Sequence, residues 1–468
     1  MSFEGFYLLP HPPIVIPEIG KGEEKKIQAT SSGFDQIAKE IAEKSPDTII
    51  TVTPHGTMFQ DAVAICGEHE LNGSFENFSV PDVSMKVHIN TALASSIYEF
   101  AQQENIPSIM ATDGFLNKYN SYEFLDHGVM VPLYFINKYY KAYKLVHITY
   151  APIGDLDLYR FGMCIRKAVE ESDEKIVMIA SGDLSHRLKE HGPYGYNPYG
   201  EKFDKEFLDC LKNGHVEGVF SIDRDTLINA GECGRRSVVM MLGALDKKKF
   251  NGELLSYEGT FGVGYGVMKF NVISENTSML DKLETARKTA YERKKEGTDP
   301  YARLARESLT HYLVSGEELE EFPNYVPDEM KSIKRGVFVS LKKHGELRGC
   351  IGTIFPVTDS VAEEIMRNAV EAGMNDPRFY EVEEDELIDI DFSVDVLTEP
   401  EPADKEELDP REYGVIVRSG RKTGLLLPDL EEVDTVEKQL DIALQKAGIG
   451  SAEEYKIEKF KVLRHKES

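Results

Sequence analysis

The first half of the chain alternates short apolar runs with longer segments in which apolar residues recur every three or four positions. The short runs are rich in β-branched residues and predict strands at 5–10, 47–53, 108–112, 144–150 and 175–181. The longer segments predict amphipathic helices, as at 25–44 and 91–105. A glycine-rich strand at 259–270 ends the pattern. Such alternation is typical of an α/β domain, in which a mostly parallel sheet is flanked by helices.

The alternation is lost over residues 272–297, which are polar, favour a helix and contain few large apolar side chains. This composition predicts a helical linker. Asp299 and Pro300 then start a new helix with its apolar residues on one face. We therefore divide the chain into a first domain over 1–271, a linker over 272–297 and a second domain over 298–468.

The second domain shows hairpins in place of the strand–helix alternation. One hairpin at 336–356 is predicted to turn at His344–Gly345, and another at 413–428 is predicted to turn at Ser419–Gly420. The remaining predicted elements are a strand and two helices, at 389–400, 358–372 and 435–447. We expect an α+β domain with an antiparallel sheet.

Charge and composition exclude several classes of function. The 468 residues include 81 acidic and 54 basic side chains, for a net charge of −27. A surface this acidic repels phosphate groups, so we expect neither a nucleic acid nor a membrane as a partner. The five cysteines show no CxxC or metal-finger spacing, which is typical of reduced thiols. Since the N-terminus has no signal-peptide pattern and no run reaches about 18 apolar residues, we expect a cytoplasmic protein.

Two histidines directly follow predicted strands. In YLLPHPP and TVTPHG an apolar strand is stopped by a proline, because proline lacks the N–H that a sheet ladder needs. His11 and His55 stand just past these stops. Ligands of open α/β sheets bind beyond the carboxyl ends of the strands, so both histidines are placed where a site is expected.

More polar residues fall at the same edge of the predicted sheet. The segment SGDLSH places His186 beyond the strand at 175–181, where Ser181 and Asp183 can orient its ring. His127 lies in a glycine-containing loop that opens a predicted helix. The sequence therefore predicts that four histidines gather at one edge.

A carboxylate and a thiol are neighbours in AGECGRRS, where Glu232 and Cys233 precede a predicted helix whose N-terminal dipole favours an anion. Two histidines and one carboxylate form the facial triad of non-haem Fe(II) oxygenases, which leaves three positions open. A catecholate can occupy two of these positions and dioxygen the third. A further histidine can exchange a proton with the substrate hydroxyl.

Five of these motifs together resemble one family. PHPP, TPHG, LDHGVMVPL, SGDLSH and AGECGRRS occur in the order and at spacings that suit the class III extradiol dioxygenases of the LigB type. The resemblance covers about residues 3–270. It implies an oxidoreductase that opens an aromatic ring, with Fe(II) as cofactor and with a small catecholic or phenolic substrate and O2 as reactants.

The resemblance also implies roles for individual residues. Fe(II) would be held by His11, His55 and Glu232. His186 would be the catalytic acid and base, and His127 would bind substrate or support the metal ligands. In the related Memo proteins a cysteine stands before the Gly–Arg pair, as Cys233 does here, so Glu232 and Cys233 compete for the third ligand position. The facial-triad chemistry of Fe(II) favours Glu232.

The second domain resembles the AMMECR-one family over about residues 298–466, through LRGCIGT, NDPRFY, DFSVDVLTEP, YGVIVRSGRKTGLLLP and DTVEKQLDIALQKAGI. Gly349 and Gly352 flank Cys350, which favours an accessible thiol, and Arg348 is expected to place a cation beside it. The alternative is an ordinary buried cysteine.

The combination of these two domains is similar to the AmmeMemoRadiSam association, which groups AMMECR-like, Memo-like and radical SAM proteins. The chain lacks the CxxxCxxC motif of a radical SAM protein, so the resemblance implies a separate radical SAM protein as partner. Two functions stay open. One is an Fe(II)-dependent extradiol dioxygenase, and the other is a non-oxygenase metal-binding module within a modification system.

Overall fold

The computed structural model describes residues 3–297, 299–430, 433–450 and 453–467. The chain divides into two compact units, one that extends to Thr285 and one that begins at Ala286. The division falls within a helix. The limits of the linker and of the two domains that we expect from the sequence stay predictions.

The first unit contains ten strands and eleven α-helices among its described residues. The strands are β1 Phe3–Leu9, β2 Thr48–Thr53, β3 Val63–Cys66, β4 Glu70–Phe75, β5 Val80–His88, β6 Ser108–Ala111, β7 Lys144–Thr149, β8 Ile176–Ser181, β9 Lys248–Glu258 and β10 Tyr265–Glu275. The helices are α1 Pro17–Gly20, α2 Gln28–Lys44, α3 Thr91–Gln103, α4 Asp113–Leu116, α5 His127–Ile136, α6 Asp155–Glu170, α7 Pro198–Lys212, α8 Val216–Phe220, α9 Arg224–Ala230, α10 Arg235–Ala244 and α11 Leu280–Lys295, which contains the division.

Eight of these strands form one mixed sheet in the order β6-β3-β7-β2-β8-β1-β10-β9. The four central strands, β7, β2, β8 and β1, are mutually parallel. Strand β10 pairs with β1 in the antiparallel direction, and β9 pairs with β10 in the same way. Strand β3 pairs with β7 in the antiparallel direction and with β6 in the parallel direction. The predicted α/β domain, with a parallel centre flanked by helices, is therefore confirmed.

Both faces of the sheet are buried, as the apolar strands require. In β1, Phe6 and Leu8 pack on one face with side chains of α3, α6 and α10. Tyr7 and Leu9 point to the other face and pack with α2 and α5. Since successive side chains of a strand alternate between faces, one short apolar run contributes to two cores.

The sequence did not predict β3, β4, β5 or β9. Strands β4 and β5 form a separate two-stranded ribbon, and β5 carries mostly half-buried or exposed residues. A partly exposed strand with a polar sequence shows no apolar run, which explains the omission of β4 and β5. Within the described residues, the molecule has no helix that is both long enough and apolar enough to cross a membrane.

The second unit contains helices and two antiparallel sheets. Its elements are α12 Pro300–Ser315, α13 Asp328–Ser332, β11 Val337–Lys343, β12 Glu346–Gly352, α14 Val361–Met374, β13 Ile390–Leu397, β14 Glu401–Pro402, β15 Gly414–Ser419, β16 Lys422–Leu426, α15 Val436–Ala447, β17 Lys456–Phe460 and β18 Val462–Lys466. The sheets have the orders β12-β11-β13-β18 and β14-β17-β15-β16, with antiparallel pairs throughout. The predicted α+β domain is confirmed.

The two predicted hairpins form, and one turn differs by a residue. His344 and Gly345 both have positive φ values, 52° and 97°, as a tight two-residue hairpin loop requires. In the other hairpin Ser419 still pairs with Lys422, so the turn centres on Gly420 and the next residue rather than on Ser419–Gly420. Gly420 has a φ of 58°, a conformation that glycine adopts without strain.

Candidate metal centre

Three neighbouring parallel strands end at the candidate site. Strands β2, β8 and β1 are adjacent in the sheet, and their carboxyl ends therefore meet at one edge. His55 follows the end of β2 by two residues, His11 follows the end of β1 by two residues, and Ser181 is the last residue of β8. The proline after β1 and after β2 ends each strand just before its histidine.

The side chains of His11, His55 and Cys233 converge. The Nε2 atoms of the two histidines lie 3.0 Å apart, and the Sγ atom of Cys233 lies 3.6 Å from Nε2 of His11. Among the described residues, one group of three metal-binding side chains has ligand atoms within 4.8 Å of one another, and it consists of these three. His11 is only 2% exposed. Two imidazole nitrogens and one sulfur thus face a common point.

The structure brings Cys233 to this point, while the Glu232 carboxylate contacts the start of helix α10. An oxygen of the Glu232 carboxylate accepts a hydrogen bond of 2.6 Å from the backbone N–H of Arg235, in the first turn of α10. A carboxylate at this position satisfies a free N–H group and interacts favourably with the helix dipole. Glu232, which we favoured from the sequence as the third ligand, therefore supports the start of the helix, and its neighbour Cys233 faces the histidines.

Two glycines allow the loop of Cys233 to approach the end of β8. A Cβ atom on Gly182 would lie 2.0 Å from the Cα atom of Gly234. The two segments could therefore not approach this closely if residue 182 carried a side chain. The backbone N–H of Asp183 donates to Sγ of Cys233 at 3.3 Å, and the backbone N–H of Cys233 donates to the carbonyl of Asp183 at 3.4 Å. Gly182 and Gly234 therefore allow the thiol of Cys233 to lie beside His11.

His11 is held in one orientation and one tautomer. Its Nδ1 atom lies 3.0 Å from Oγ of Ser181, whose hydroxyl donates to the carbonyl of Gly128. Because the hydroxyl proton is used in that bond, Nδ1–H of His11 is the donor to Ser181, which leaves Nε2 of His11 free to bind a metal. The backbone N–H of His11 donates to Oδ1 of Asp183 at 2.8 Å. We expected Ser181 and Asp183 to orient His186, but they orient His11.

His127 packs against both His11 and His55 without joining the group of three. Its ring stacks on the ring of His55 with centroids 4.1 Å apart and meets the ring of His11 edge-on at 5.5 Å. Phe78 covers another side of His127 at 5.4 Å. Burial lowers the pKa of His127, so the ring is neutral at pH 7. This placement fits a residue that supports the ligands or contacts a bound molecule.

Sequence reasoning missed a buried carboxylate behind the site. Asp126 accepts a hydrogen bond of 2.8 Å from the Thr53 hydroxyl, which in turn accepts one of 3.2 Å from the backbone N–H of His55. The other carboxylate oxygen of Asp126 lies 2.8 Å from Nε2 of His147, a residue that is 1% exposed. Asp126 directly precedes His127 in the motif LDHG, and that position was the available signal. Asp126 thereby connects the backbone of His55, through Thr53, to the buried His147.

His186 lies near the site with an unused nitrogen. The Nε2 atom of His186 is buried and has no hydrogen-bond partner among the described residues. Its ring stacks on Tyr194 with centroids 5.0 Å apart and an interplanar angle of 27°. Burial, followed by repulsion from His55 and Arg187, lowers the pKa of His186 to about 4. At pH 7 the ring is therefore neutral.

The protonation states of the three converging side chains suit a metal that displaces protons. Burial and the neighbouring His127 lower the pKa of His55 to about 4, and burial lowers the pKa of His11 well below its usual value. Burial and repulsion from Asp183 and Glu232 raise the pKa of the Cys233 thiol well above its usual value. The imidazoles are therefore ready to bind, and the thiol releases its proton only when a cation arrives.

The donor set fits a transition metal ion. Imidazole binds iron, copper and zinc, and a thiolate adds a soft donor that these ions also accept. The arrangement departs from the facial triad of two histidines and a carboxylate, since sulfur stands in the third position. His11, His55 and Cys233 would hold the ion in this arrangement. The choice between Glu232 and Cys233 as third ligand stays a prediction.

In the second unit, Cys350 lies in β12 and is half-buried. We expected Arg348 to place its charge beside this thiol, but its guanidinium binds Glu386, at 2.8 and 3.0 Å. Arg378 approaches instead and donates to the backbone carbonyl of Cys350 at 3.2 Å, while the Ser340 hydroxyl donates to Sγ at 3.2 Å. The pairing of β12 with β11 shifts register between Leu347 and Gly349, so the regular alternation of side chains is interrupted at Arg348.

Comparisons with known proteins agree with the division into two units. The family model described as the catalytic LigB subunit of aromatic ring-opening dioxygenase matches residues 5–268, and the AMMECR1 family model matches residues 302–467. A protein of Clostridium acetobutylicum is 69% identical over 468 residues, which is 100% of both chains. A protein of Thermotoga maritima is 47% identical over 173 residues, which is 36% of this chain and 99% of its own.

Among solved structures, an uncharacterized protein of Escherichia coli K12 covers 57% of this chain and 98% of its own chain, with 13% identity and a TM-score of 0.39. The family match over residues 5–268 and the full-length relative together decide the assignment. The chain belongs to the family of the catalytic LigB subunit of aromatic ring-opening dioxygenase, and an AMMECR1 domain follows at residues 302–467.

Proposed function

We propose that the first domain is a non-haem Fe(II)-dependent oxygenase of the extradiol type that acts on a catecholic or phenolic ring. The observation that carries this proposal is the convergence of His11, His55 and Cys233 at the carboxyl edge of the parallel sheet, in a chain of the LigB family. Bound iron would supply the positions at which a catecholate and dioxygen meet. The protein's own residues then bind the ring, exclude water and move protons.

His186 supports the proton-transfer part of the proposal. A general base must be neutral before it acts and must offer a free nitrogen to the proton. His186 offers such a nitrogen, because its buried Nε2 atom has no hydrogen-bond partner among the described residues. We assign it the removal of a proton from a substrate hydroxyl and the later return of a proton to the product.

Aromatic rings near the site support a planar substrate. Tyr194 stacks on His186, and Phe78 packs against His127. Tyr194 is 60% exposed, so its ring combines a contact with the base and a face open to an incoming molecule. Aromatic rings pair favourably with one another in stacked or edge-on arrangements.

A second candidate function follows from the sulfur donor. A thiolate in place of a carboxylate suits copper or zinc as well as iron. The first domain would then be a metal-binding module without oxygenase activity. We propose for this case that it acts with a separate radical SAM protein in a modification system, in which the AMMECR1 domain takes part.

Anaerobic titration with Fe(II), followed by addition of air-saturated buffer and a panel of catechols, distinguishes the two candidates. We expect one Fe(II) per chain and oxygen uptake that requires both iron and one of the catechols. A Zn(II)-loaded sample is the matched control, because zinc fits the same donors and has no redox chemistry. Tight metal binding without oxygen uptake on any ring would contradict the oxygenase and favour the second candidate.

A further inference from the structure

The short turn that carries His186 is held from three directions. At the start of β10, the backbone N–H of Leu184 donates to the carbonyl of Gly264 at 2.8 Å, and Gly264 N–H donates back to the carbonyl of Ser185 at 2.7 Å. After α9, the carbonyl of Ala230 accepts from His186 N–H and from the Ser185 hydroxyl, both at 3.1 Å. These two contacts involve backbone groups of the partner segments.

The third contact comes from a side chain, Asp204 of helix α7. Its Oδ1 atom accepts a hydrogen bond of 2.7 Å from the backbone N–H of Ser185, the residue directly before His186. Its Oδ2 atom accepts one of 2.6 Å from the hydroxyl of Tyr257 in β9. Both oxygens of one carboxylate are therefore used, one on the turn and one on the sheet.

Asp204 lies on the buried face of helix α7, where apolar residues are expected. It falls on the buried face of α7 with Phe203, Phe207 and Leu208, and it is only 2% exposed. Burial raises the pKa of Asp204 to about 7. A buried carboxyl group is costly unless its hydrogen bonds are satisfied, so its presence points to a purpose other than packing.

Glycines leave room for this arrangement. A Cβ atom on Gly264 would lie 2.3 Å from Oδ2 of Asp204, and a Cβ atom on Gly200 would lie 2.4 Å from Oγ of Ser185. Helix α7 and the start of β10 can therefore close on the turn. The carboxylate, the turn and the two glycines form one close-packed unit next to the base.

We propose that Asp204 is a positioning residue that holds the His186 turn, with Tyr257 holding Asp204 in turn. This inference rests on the proposed function in one respect, namely that His186 carries the proton. Among the described residues, the Asp204 side chain forms no hydrogen bond with His11, His55 or Cys233. Its effect therefore passes through the backbone of Ser185.

The first domain offers a matched control. Asp246 is also 2% exposed and also accepts a tyrosine hydroxyl, from Tyr159 at 2.7 Å, together with a backbone N–H, from Met279 at 2.9 Å. This pair has the same types of partner as Asp204, a tyrosine hydroxyl and a backbone N–H, although both bonds reach Oδ1 of Asp246. Its partners lie outside the candidate metal centre. A general loss of stability should affect both pairs, whereas an effect on His186 should be confined to Asp204.

The experiment compares Asp204→Ala with Asp246→Ala in iron-loaded protein. We expect Asp204→Ala to lower kcat by about 10²-fold, the typical result of misplacing a catalytic group by about 1 Å, and to leave KM within a few-fold. Asp246→Ala should leave kcat within a few-fold. Asp204→Asn keeps an acceptor for Ser185 N–H and should restore most of the rate. Equal losses of kcat in the two alanine variants would overturn the proposal.

A double-mutant cycle with His186→Ala locates the effect. If Asp204 acts through His186, Asp204→Ala should cause no further loss of kcat once His186 is absent. An undiminished loss in the His186→Ala background would also overturn the proposal. If Asp204→Ala does not fold, Tyr257→Phe takes its place with an expected loss of about 3–10-fold, and Tyr159→Phe becomes its control.

A readout in metal-free protein separates this inference from the proposed function. In NMR spectra of protein labelled at histidine, the ring signals of His186 should shift in Asp204→Ala and stay in place in Asp246→Ala. Shifted signals together with no oxygenase activity in any variant would support the positioning role and contradict the proposed function. Unshifted His186 signals in Asp204→Ala would overturn the positioning role, whatever the activity.

Discussion

The Nε2 atoms of His11 and His55 lie 3.0 Å apart, although the two residues are 44 positions apart in the chain. Strand β8, which comes much later in the sequence, lies between the strands that carry them. In the metal-free protein the two nitrogens can share one proton. A metal ion would replace that proton and bring Cys233 into the same coordination sphere.

The first prediction concerns the third ligand. Cys233→Ala should lower the affinity for Fe(II) by more than the roughly 10–100-fold that loss of an outer partner usually costs. Glu232→Gln should leave the affinity within a few-fold, because glutamine still accepts the hydrogen bond from Arg235 N–H. Competition with a chelator measures both constants. An equal loss of iron in the two variants would show that Glu232 is also a ligand.

The second prediction separates the base from the ligands. His186→Ala should keep Fe(II) affinity within a few-fold and lower turnover by roughly 10²–10⁴, the usual contribution of a positioned acid or base. His55→Ala should instead lose the metal. If His186→Ala releases iron as completely as His55→Ala, then His186 is a ligand, and if its turnover is unchanged, the proton-transfer role is wrong.

The third prediction tests the close approach of two glycines. Gly182→Ala should lower the free energy of unfolding by about 1–3 kcal/mol, because its Cβ atom would meet Gly234, and it should weaken metal binding by displacing Cys233. Gly114→Ala is the control, since the nearest atom to its added Cβ atom lies 4.0 Å away. Chemical denaturation and metal titration of both variants provide the comparison. Similar stability in the two variants would contradict the packing argument.

The fourth prediction concerns pH and metal-free protein. The pKa of His55 falls from about 6.5 in the unfolded chain to about 4 in the folded protein. Between these values the unfolded chain binds a proton that the folded protein excludes, so the stabilisation is complete above pH 6.5 and is lost as the pH falls towards 4. The contribution of His55 is about 3 kcal/mol, since one pKa unit corresponds to about 1.4 kcal/mol.

Urea denaturation between pH 7 and pH 4 measures this dependence in the wild-type protein and in His55→Asn. The variant should lose less stability on acidification, because it has no imidazole to protonate at this position. His88→Asn is the control, since the His88 side chain is 75% exposed. Identical pH profiles for the wild type and His55→Asn would refute the prediction.

The fifth prediction concerns the connection between the two units. The chain divides at Thr285 and Ala286, within the polar helix α11, and the sequence predicts a linker over 272–297. Limited proteolysis should therefore cut first between residues 272 and 300 and release two folded fragments. A first cut elsewhere, or fragments that unfold at once, would contradict this organisation.

Much of the fold was predictable because local physics determines it. The runs that became β1, β2, β7 and β8 are rich in apolar and β-branched residues, and a proline ends two of them directly before a histidine. The hairpin at His344–Gly345 follows from the demand of a tight turn for positive φ. Such features depend on residues that are adjacent in the sequence, so they can be predicted from the sequence alone.

The identity of the third donor was not predictable in the same way. Glu232 and Cys233 are adjacent, and the motif alone allows either side chain to face the histidines. Only the tertiary structure shows their different surroundings: the N–H of Arg235 donates to the Glu232 carboxylate, and the close approach of Gly182 and Gly234 places the Cys233 sulfur beside His11.

The sequence by itself determined which residues stand at the ends of the strands, since the apolar runs and the prolines that stop them are local features. Only the tertiary structure decided which of those residues meet. The order of the strands places β8 between β1 and β2, so Ser181 and Asp183 hold His11 rather than His186. The turn of His186 depends on Asp204, which looks in the sequence like a misplaced polar residue on an apolar helix face. The physical reason is that these contacts join segments far apart in the chain, and their geometry exists only once the sheet has assembled.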